Sequence, residues 1–326
     1  MAVPHSFLYL SRADVEAIGL PMGTVIEAVE LAFREKDEGR TIMPPKHWIA
    51  PSARRFFSAM SSALPGLRAV GCKWQSGSPD NHALGHPYIT GQFILTALGT
   101  GLPIAIMDST WITEMRTAAA TAVAARALVG KPPRVLGVLG CGLQARRNLE
   151  ALRLVFPSLA DVRAYDVSAA AGETYRDEMK ARHGVEVTLC PDPRAAFDSA
   201  DIVLTCGPII PEGTRAAEAA WLEEGATAVT LDYDCYWKPG ELARVDRLVT
   251  DDLAQLEHTK ADGYFTSVPE KMQELASVVA GREAGRMSST QRIVCINMGI
   301  ALEDVTTALS IYRRARDMGR GVELPI

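Results

Sequence analysis

The chain has 326 residues, of which 48% are hydrophobic, and its 34 basic and 39 acidic side chains give a formal net charge of −5 at pH 7. This size and apolar content predict a large core and two domains, and the absence of a Lys/Arg block argues against a nucleic-acid partner. The apolar runs are too short for a membrane span and the N-terminus lacks signal-peptide features, so we expect a cytoplasmic protein with no membrane partner.

The N-terminal third is predicted to combine helices with a mainly antiparallel sheet. Residues 11–38 carry apolar side chains at helical spacing, interrupted at Gly19–Pro21, so we expect a short helix capped by Ser11 and then a longer helix. Four later apolar stretches between Pro and Gly turns indicate strands, and the GTGLP turn between the last two predicts a hairpin. The four stretches are RFFSAM, LRAVGCKWQ, YITGQFILTAL and LPIAIMD.

The next stretch, residues 110–130, has the highest helix propensity of the chain, with Thr113 as the expected N-cap. Strands and helices then alternate from residue 134, which predicts βαβ units on a doubly wound parallel sheet, an α/β fold of the Rossmann type. A last amphipathic helix is expected in MGIALEDVTTALSIYRRARDMG. The predicted strands are RVLGVLG, DVRAYDV, VEVTLC, DIVLTCG and ATAVTLD, and the predicted helices are 143–155, AGETYRDEMKARHG, PRAAFDSA and AEAAWLEEG.

A glycine loop lies between the first of these strands and its helix. Gly140, Gly142 and Ala145 fit the pattern GxGxxA, in which the glycines form a tight turn and let a pyrophosphate approach the helix N-terminus. Asp166 follows about twenty residues later, where an acid accepts the ribose hydroxyls. No cation follows it at once, so NAD(H) is favoured over NADP(H). The alternative, a plain tight turn, is less favoured because loop, acid and strand–helix alternation occur together.

Six scattered cysteines form no CxxC pair, and six histidines show no ligand spacing. We therefore expect reduced, mostly buried thiols and no metal site.

Four further stretches complete a pattern with the loop: VGCKWQSGSPDN, the RTAA segment of the alanine-rich helix, LDYDCYWKPGEL and GREAGRMSSTQRIVCINMGIALEDV. Together they resemble the ornithine cyclodeaminase/mu-crystallin family over nearly the whole chain. The resemblance implies a discontinuous α+β substrate-binding and dimerisation domain, residues 1–115 with 305–326, around an NAD-binding Rossmann domain, residues 116–304. It also implies a homodimer.

The resemblance further implies roles for single residues. Lys73 and Arg116 match the side chains that hold the substrate carboxylate, and Asp234 matches the acid that handles the proton at the reacting carbon. Met298 lies where the family closes the pocket. Expected cofactor contacts are Gly140, Gly142, Leu143, Gln144, Asp166, Arg116, Lys238 and Asn297, the last replacing a common Ser, and Tyr88 stands at another cofactor position.

Two positions depart from the family pattern. Lys46 replaces an Arg that is a further carboxylate ligand, which keeps the charge but loses the planar fork. Ser58 lies near the position of the acid that binds the side-chain amine of ornithine, so a second ammonium has no obvious partner, whereas Arg54 and Arg55 favour a second anionic group. Trp74 and Trp237 are expected either near the pocket or in the core.

The chemistry of the residues agrees with these roles. Lys and Arg clamp a carboxylate and orient Cα toward the nicotinamide, and Asp234, with Asp232 as its rival, supplies or relays a proton. We therefore expect an NAD-dependent imine (ketimine) reductase or amino-acid dehydrogenase that acts on a small α-imino or α-amino acid. The alternatives are ornithine cyclodeaminase, which makes proline and ammonia with catalytic NAD, and a mu-crystallin-like binding protein for a nucleotide and a small ligand.

Overall fold

A computed structural model describes residues 5–52, 54–210, 215–270 and 272–326. The chain forms two compact units: the first unit runs up to Arg116 and includes Ile300–Ile326, and the second unit is Thr117–Gly299. The strands are β1 (Ser6–Leu10), β2 (His47–Ser52), β3 (Arg55–Leu64), β4 (Ala69–Gly77), β5 (Ile89–Ala97), β6 (Pro103–Asp108), β7 (Val135–Leu139), β8 (Asp161–Tyr165), β9 (Val187–Leu189), β10 (Ile202–Thr205), β11 (Thr227–Thr230), β12 (Arg247–Thr250), β13 (Gln273–Glu274), β14 (Ile293–Ile296) and β15 (Val322–Pro325). The helices are α1 (Arg12–Ile18), α2 (Met22–Asp37), α3 (Thr110–Leu128), α4 (Leu143–Val155), α5 (Ala169–His183), α6 (Leu253–Lys260), α7 (Leu275–Val279) and α8 (Ala301–Met318).

The first unit is built on a seven-stranded sheet in the order β15-β1-β6-β5-β4-β3-β2. Its neighbouring strands are antiparallel except for the parallel pair β1 and β6. This arrangement confirms the predicted mainly antiparallel sheet and the hairpin of β5 and β6. Strands β1, β2 and β15 were not predicted. The strands β2 and β15 are short edge strands whose side chains are largely exposed and show little apolar alternation.

One face of this sheet is covered by α8, which packs on β3, β4 and α2. Along β4 every second side chain is buried, from Ala69 to Gly77, so Lys73 and Gln75 share the buried face. Gly71 allows the close packing, because a Cβ there would lie 2.3 Å from Cζ of Phe93 and 3.1 Å from Cγ2 of Val305.

Local capping fixes the helices of the first unit. Ser11 and Asp14 form a capping box at the start of α1, which confirms the predicted cap. The predicted helix over 110–130 is confirmed as α3, but the predicted cap at Thr113 was wrong: the helix begins at Thr110, and Oδ1 of Asp108 accepts a hydrogen bond from the Trp111 amide at 2.9 Å. Thr113 therefore lies inside the helix, where its hydroxyl accepts a hydrogen bond from Nζ of Lys73.

The second unit is built on an eight-stranded sheet in the order β13-β12-β14-β11-β10-β7-β8-β9, and every neighbouring pair is parallel. This confirms the predicted Rossmann-type sheet. The chain moves from β7 to β8 on one side and to β10 on the other, so the strand order reverses at β7, where such folds bind ligands. Among the described helices none is long and apolar enough to span a membrane.

Two of the predicted helices in this unit are single 3-10 turns, Arg194–Ala196 and Ala219–Trp221. Neither turn can extend into a long helix, because Ser199, three residues after the first turn, is left-handed at φ 59°, and Leu222, directly after the second turn, is extended. Strands β12, β13 and β14 were not predicted. The four-residue strand β12 has a polar residue at each end, β14 is an apolar run of only four residues, and β13 has only two residues.

Candidate active site

The glycine loop of the second unit follows β7 and leads into α4. Gly140 has φ +93°, and a Cβ there would lie 2.9 Å from the Gly207 amide nitrogen, so only glycine fits. Gly142 precedes α4 with ordinary dihedrals, and a Cβ on it would meet no atom within 4 Å. Helix α4 starts without a side-chain cap, so its first amides are available to an anion.

Side chains around this helix start differ in exposure. Leu143, at the first position of α4, is 46% exposed, which is high for a leucine. Gln144 accepts a hydrogen bond on Oε1 from Nδ2 of Asn148 at 3.2 Å, and Ala145 is buried, as close packing of this helix requires.

Asp166 follows the end of β8 and holds the glycine loop. Its Oδ2 accepts a hydrogen bond from the Cys141 amide at 2.7 Å and its Oδ1 accepts one from the Ser168 amide at 2.8 Å. The next side chain, Val167, is 77% exposed and carries no charge. The surroundings of Asp166 therefore combine a carboxylate with a backbone turn.

Asp232 follows β11 and is fully buried. Its carboxylate accepts hydrogen bonds from the Thr205 hydroxyl at 2.7 Å and the Gly207 amide at 2.9 Å. Burial, the largest influence, raises its pKa to about 7. Both oxygens are thus used to hold the segment after β10 in place, which separates the role of Asp232 from that of Asp234.

Asp234 lies two residues further on and keeps one oxygen unused. Its Oδ2 accepts hydrogen bonds from Nη1 of Arg215 and from the Phe265 amide, both at 3.2 Å. Its Oδ1 is buried and has no hydrogen-bond partner among the residues that the structure describes. A buried carboxylate oxygen without a partner is costly. The Asp234 residue also lines a cavity of about 170 Å³. Asp234 is therefore the acid that is open to a ligand.

Backbone strain surrounds Asp234. Tyr233 and Phe265 have φ values of 61° and 54°, in the left-handed region that favours glycine. The centroids of their rings are 5.4 Å apart, so the packing of the two rings stabilises both unusual conformations. Strained residues of this kind cluster at functional sites, where the surrounding structure fixes them. Sequence patterns gave no signal for this pair or for Arg215.

Lys238 lines the same cavity as Asp234 and forms an ion pair with Glu218. Trp237 is fully buried in an edge-to-face arrangement with Phe197, and it also lines the cavity, so it combines the two expected locations.

Asn297 and Met298 follow β14 and are both buried. Oδ1 of Asn297 accepts a weak hydrogen bond from the Cys295 thiol at 3.3 Å, while its Nδ2 has no partner within the described chain. The amide of Gly299 donates to Oδ2 of Asp251 at 2.7 Å, which fixes the backbone just after these two residues.

Three cations of the predicted site, Lys46, Lys73 and Arg116, lie in the first unit. Lys73, on β4, is fully buried; its Nζ donates to Oδ1 of Asp304 at 2.8 Å and to the Thr113 hydroxyl at 3.2 Å. Arg116, on α3, is buried as well, and its Nη1 donates to Oε2 of Glu303 at 2.9 Å. Burial, the largest influence, lowers the pKa of Lys73 to about 8.

The acids that hold these cations were missed in the sequence interpretation. Glu303 and Asp304 are consecutive residues of α8, and both are fully buried. A signal was present, since the acids stand in the apolar stretch IALEDV of a helix whose buried residues include Leu302 and Val305. Buried charges require partners, so two acids in such a stretch indicate buried cations nearby.

Lys46 precedes β2 and is also buried, with its Nζ 5.7 Å from the centroid of the Trp48 ring. Trp74 lies on the opposite face of β4 from Lys73, is 46% exposed and stacks on Phe57, so a core location is wrong for it. Alternation along the strand accounts for this difference.

Ser58 and Gln75 face each other on β3 and β4. The Ser58 hydroxyl accepts a hydrogen bond from Nε2 of Gln75 at 3.1 Å, while Oε1 of Gln75 is buried without a partner among the described residues. Arg54 pairs with Asp80 at 2.6 Å and is well exposed. Tyr88 accepts a backbone hydrogen bond from the Ser78 amide.

Comparison with known proteins gives a consistent result. A family model described as the ornithine cyclodeaminase/mu-crystallin family matches residues 8–319. An alanine dehydrogenase of Archaeoglobus fulgidus is 31% identical over 325 residues, which cover 97% of this chain and 98% of that protein.

Two solved structures are also similar. Thermococcus litoralis Δ1-pyrroline-2-carboxylate reductase, in complex with NADH and L-proline, is 29% identical with a TM-score of 0.88, covering 98% of this chain and all of that chain. An archaeal alanine dehydrogenase dimer with bound NAD is 29% identical with a TM-score of 0.85, covering 98% and 99%.

Proposed function

Since this chain belongs to the ornithine cyclodeaminase/mu-crystallin family, we propose that it is an NAD-dependent imine reductase or amino-acid dehydrogenase. Hydride passes between C4 of the nicotinamide and Cα of an α-imino or α-amino acid. Relatives that are 28–31% identical to this chain are named as a reductase and as dehydrogenases, which supports an oxidoreductase acting on a C–N bond.

The buried pair of cations, Lys73 and Arg116, is the observation that carries this proposal. Both side chains lie next to the same oxygen of Asp304, at 2.8 Å and 3.2 Å, so they are neighbours. A carboxylate needs two such donors for firm orientation, and the arginine fork favours a planar anion. Lys46 is proposed as a third ligand that adds positive charge.

Asp234 handles the proton in this proposal. In the reducing direction, hydride adds to Cα, the π electrons of the C=N bond move to nitrogen, and nitrogen takes a proton that Asp234 supplies or relays. The partnerless Oδ1 supports this role, because it is the oxygen left open for a substrate amine or a water. Arg215 and the Phe265 amide hold the other oxygen and so orient the carboxyl group. Met298 is proposed to line the substrate pocket.

The residues of the glycine loop fit a dinucleotide. The open space at Gly142 and the uncapped start of α4 suit a pyrophosphate, and Asp166 suits two ribose hydroxyls. A 2′-phosphate would meet the Asp166 carboxylate and the uncharged Val167, so NAD(H) is proposed over NADP(H). When bound, the nicotinamide supplies or accepts the hydride. Leu143, Gln144, Lys238 and Asn297 are the further proposed cofactor contacts.

The pair Ser58 and Gln75 supports the reductase over ornithine cyclodeaminase. Both side chains are uncharged and are hydrogen-bonded to each other. Ser58 and Gln75 therefore offer no carboxylate to a second ammonium on this buried sheet face. An ammonium buried without an acid is costly. We therefore propose imino acids with uncharged side chains as substrates in preference to ornithine.

We also propose that the protein is a homodimer, because its first unit exposes apolar side chains. The outer face of the first unit's sheet exposes large apolar side chains, among them Trp74 and Ile94, each more than 40% exposed. Exposed apolar clusters of this kind favour association, and an archaeal relative is described as a dimer. Light scattering on the purified protein tests this proposal, and a mass of one chain contradicts it.

Turnover assays test the function. Purified protein is mixed with NADH or NADPH and a panel of preformed cyclic imines, or of α-keto acids with ammonia or methylamine, dicarboxylic members included. We expect NADH oxidation at 340 nm, with a strong preference for NADH. The absence of oxidation across the panel contradicts the proposal.

A second assay separates the alternatives. L-Ornithine with a catalytic amount of NAD is analysed for proline and ammonia, whose formation without net NADH change identifies a cyclodeaminase. The conservative variant Arg116→Lys tests the role of this arginine, because it keeps the charge but loses the planar fork. We expect the KM of the imino acid to rise by a larger factor than the factor by which NADH affinity falls. A binding protein binds ligands tightly but shows no turnover in either assay.

A further inference from the structure

Four charged side chains form one buried cluster in the first unit: Lys73, Arg116, Glu303 and Asp304. All four are at most 6% exposed. Oδ1 of Asp304 accepts a hydrogen bond from Nζ of Lys73 at 2.8 Å and lies 3.2 Å from Nε of Arg116. Oε2 of Glu303 accepts from Nη1 of the same arginine at 2.9 Å. Two cations and two carboxylates therefore compensate each other inside the protein.

Helix α8 suits the placement of these acids. Glu303 and Asp304 lie in its first turn, where a negative charge interacts favourably with the helix dipole. Since consecutive helical residues point about 100° apart, each acid reaches a different part of the Arg116 guanidinium. The helix itself is packed on β3 and β4, so the carboxylates are held by a rigid element rather than by a loop.

The cluster is not saturated. A lysine ammonium has three N–H donors, and two described partners are present for Lys73, namely Asp304 and Thr113. Because Lys73 is fully buried, its remaining N–H has no access to bulk solvent. Oδ2 of Asp304 is likewise buried without a partner among the described residues. A buried donor without a partner indicates a place for an acceptor such as a substrate carboxylate.

We propose that Asp304 is a positioning residue for substrate binding, which fixes Lys73 and Arg116 side by side through one oxygen while Glu303 sets the orientation of the guanidinium. This inference rests on the proposed function, because it assigns the two cations to the substrate carboxylate. In this proposal Asp304 contacts Lys73 and Arg116 only, and it has no contact with the cofactor or the reacting atoms. It acts by presenting the remaining N–H of Lys73 at a fixed place, which lowers the entropic cost of orienting the substrate.

The same contacts set the pH range of binding. Burial lowers the pKa of Lys73 to about 8, and the Asp304 carboxylate is the largest opposing influence. Substrate binding therefore weakens as the pH rises through about 8, where the ammonium is lost. Without the carboxylate the pKa falls further, so binding is lost at lower pH. The side chains that face Lys73 from the neighbouring elements are Asp304 and Glu303 of α8, Arg116 and Thr113 of α3, Met60 of β3 and Phe93 of β5.

The test compares Asp304→Asn with the wild type and with Asp317→Asn, which makes the same change at an exposed position of the same helix. KM and kcat for the best imino acid of the panel are measured from pH 6 to pH 10, and NADH affinity is measured separately. We expect the Asp304 variant to raise KM at least about tenfold, with a smaller change in kcat, unchanged NADH affinity and a pH midpoint below that of the wild type. Asp317→Asn behaves as the wild type.

A wild-type KM together with a wild-type pH midpoint in Asp304→Asn overturns the inference. If this variant does not fold, Asp304→Glu replaces it: the charge is kept but the arm is longer, so we expect a raised KM with an unchanged midpoint, and an unchanged KM overturns the inference. Failure of the proposed function is separate, since it appears as no turnover in the wild type. In that case the same comparison uses binding of L-proline and L-alanine by calorimetry, where equal affinities for wild type and variant overturn the inference.

Discussion

The two glycines of the cofactor loop are expected to respond differently to the same substitution. Gly142→Ala adds a methyl group where no protein atom lies within 4 Å, at an ordinary φ of −80°. The free energy of unfolding should therefore change by no more than about 0.5 kcal/mol. The methyl group does occupy the space through which a pyrophosphate approaches the first amides of α4. Loss of one charge-assisted hydrogen bond costs about 1.5–3 kcal/mol, so NADH affinity should fall about 10- to 100-fold.

Gly140→Ala has the opposite signature. Its φ of +93° strains any other residue by about 1–3 kcal/mol, and the Cβ would lie 2.9 Å from the Gly207 amide nitrogen, which adds an overpacking cost of about 1–3 kcal/mol. The sum, roughly 2–6 kcal/mol, is a large part of the usual stability of a domain, and the melting temperature should fall by on the order of 10 °C.

Scanning fluorimetry of the proteins without ligand measures stability, and titration with NADH measures affinity. A Gly142→Ala protein that binds NADH as tightly as the wild type refutes the approach of the pyrophosphate to this glycine. Equally, a Gly140→Ala protein with wild-type stability refutes the close approach of the loop to Gly207. A loss of both properties in both variants indicates that the two glycines have the same role, which the geometry does not allow.

Three further outcomes are expected. Asp234→Asn should lower kcat at least about 100-fold in the reductase assay while NADH affinity stays unchanged, and retention of more than a tenth of the activity contradicts its role in proton transfer. Asp166→Asn keeps an oxygen for the Cys141 amide but removes the charge, so the NADPH-to-NADH ratio of kcat/KM should rise at least about tenfold; a constant ratio rules out this carboxylate as the discriminating group. For the wild type, the KM of the imino acid should rise as the pH passes about 8, because Lys73 loses its proton there, and a flat KM from pH 7 to pH 9.5 excludes that lysine as a charged ligand.

The sequence was informative about the fold because periodicity depends on local burial. The antiparallel strands, the parallel sheet and the break at Gly19–Pro21 follow from alternation and from Gly and Pro positions. The prediction was wrong where a tertiary contact overrode a local sequence preference. Thr113 has a good capping side chain, but the Asp108 carboxylate at the end of β6 starts the helix one turn earlier.

The candidate site was predictable only in part. Motifs indicated single residues such as Lys73 and Asp234, but not the groups that hold them. Glu303 lies 187 residues from its partner Arg116, and no local pattern encodes such a distance. The left-handed conformations of Tyr233 and Phe265 were equally invisible, because neither residue type indicates a positive φ.

The pair Lys73 and Asp304 joins residues that are 231 positions apart in the chain. During synthesis, both cations emerge long before the helix that neutralises them, so the buried face of the first sheet cannot close until the last part of the chain has been made. Until then Lys73 and Arg116 remain hydrated, which keeps the sheet face open. The second unit, by contrast, is continuous in sequence and is complete before α8 is translated. The order of folding is thus imposed by the position of two acids near the C-terminus, and a chain truncated before residue 300 would lack the charges that its own N-terminal sheet requires.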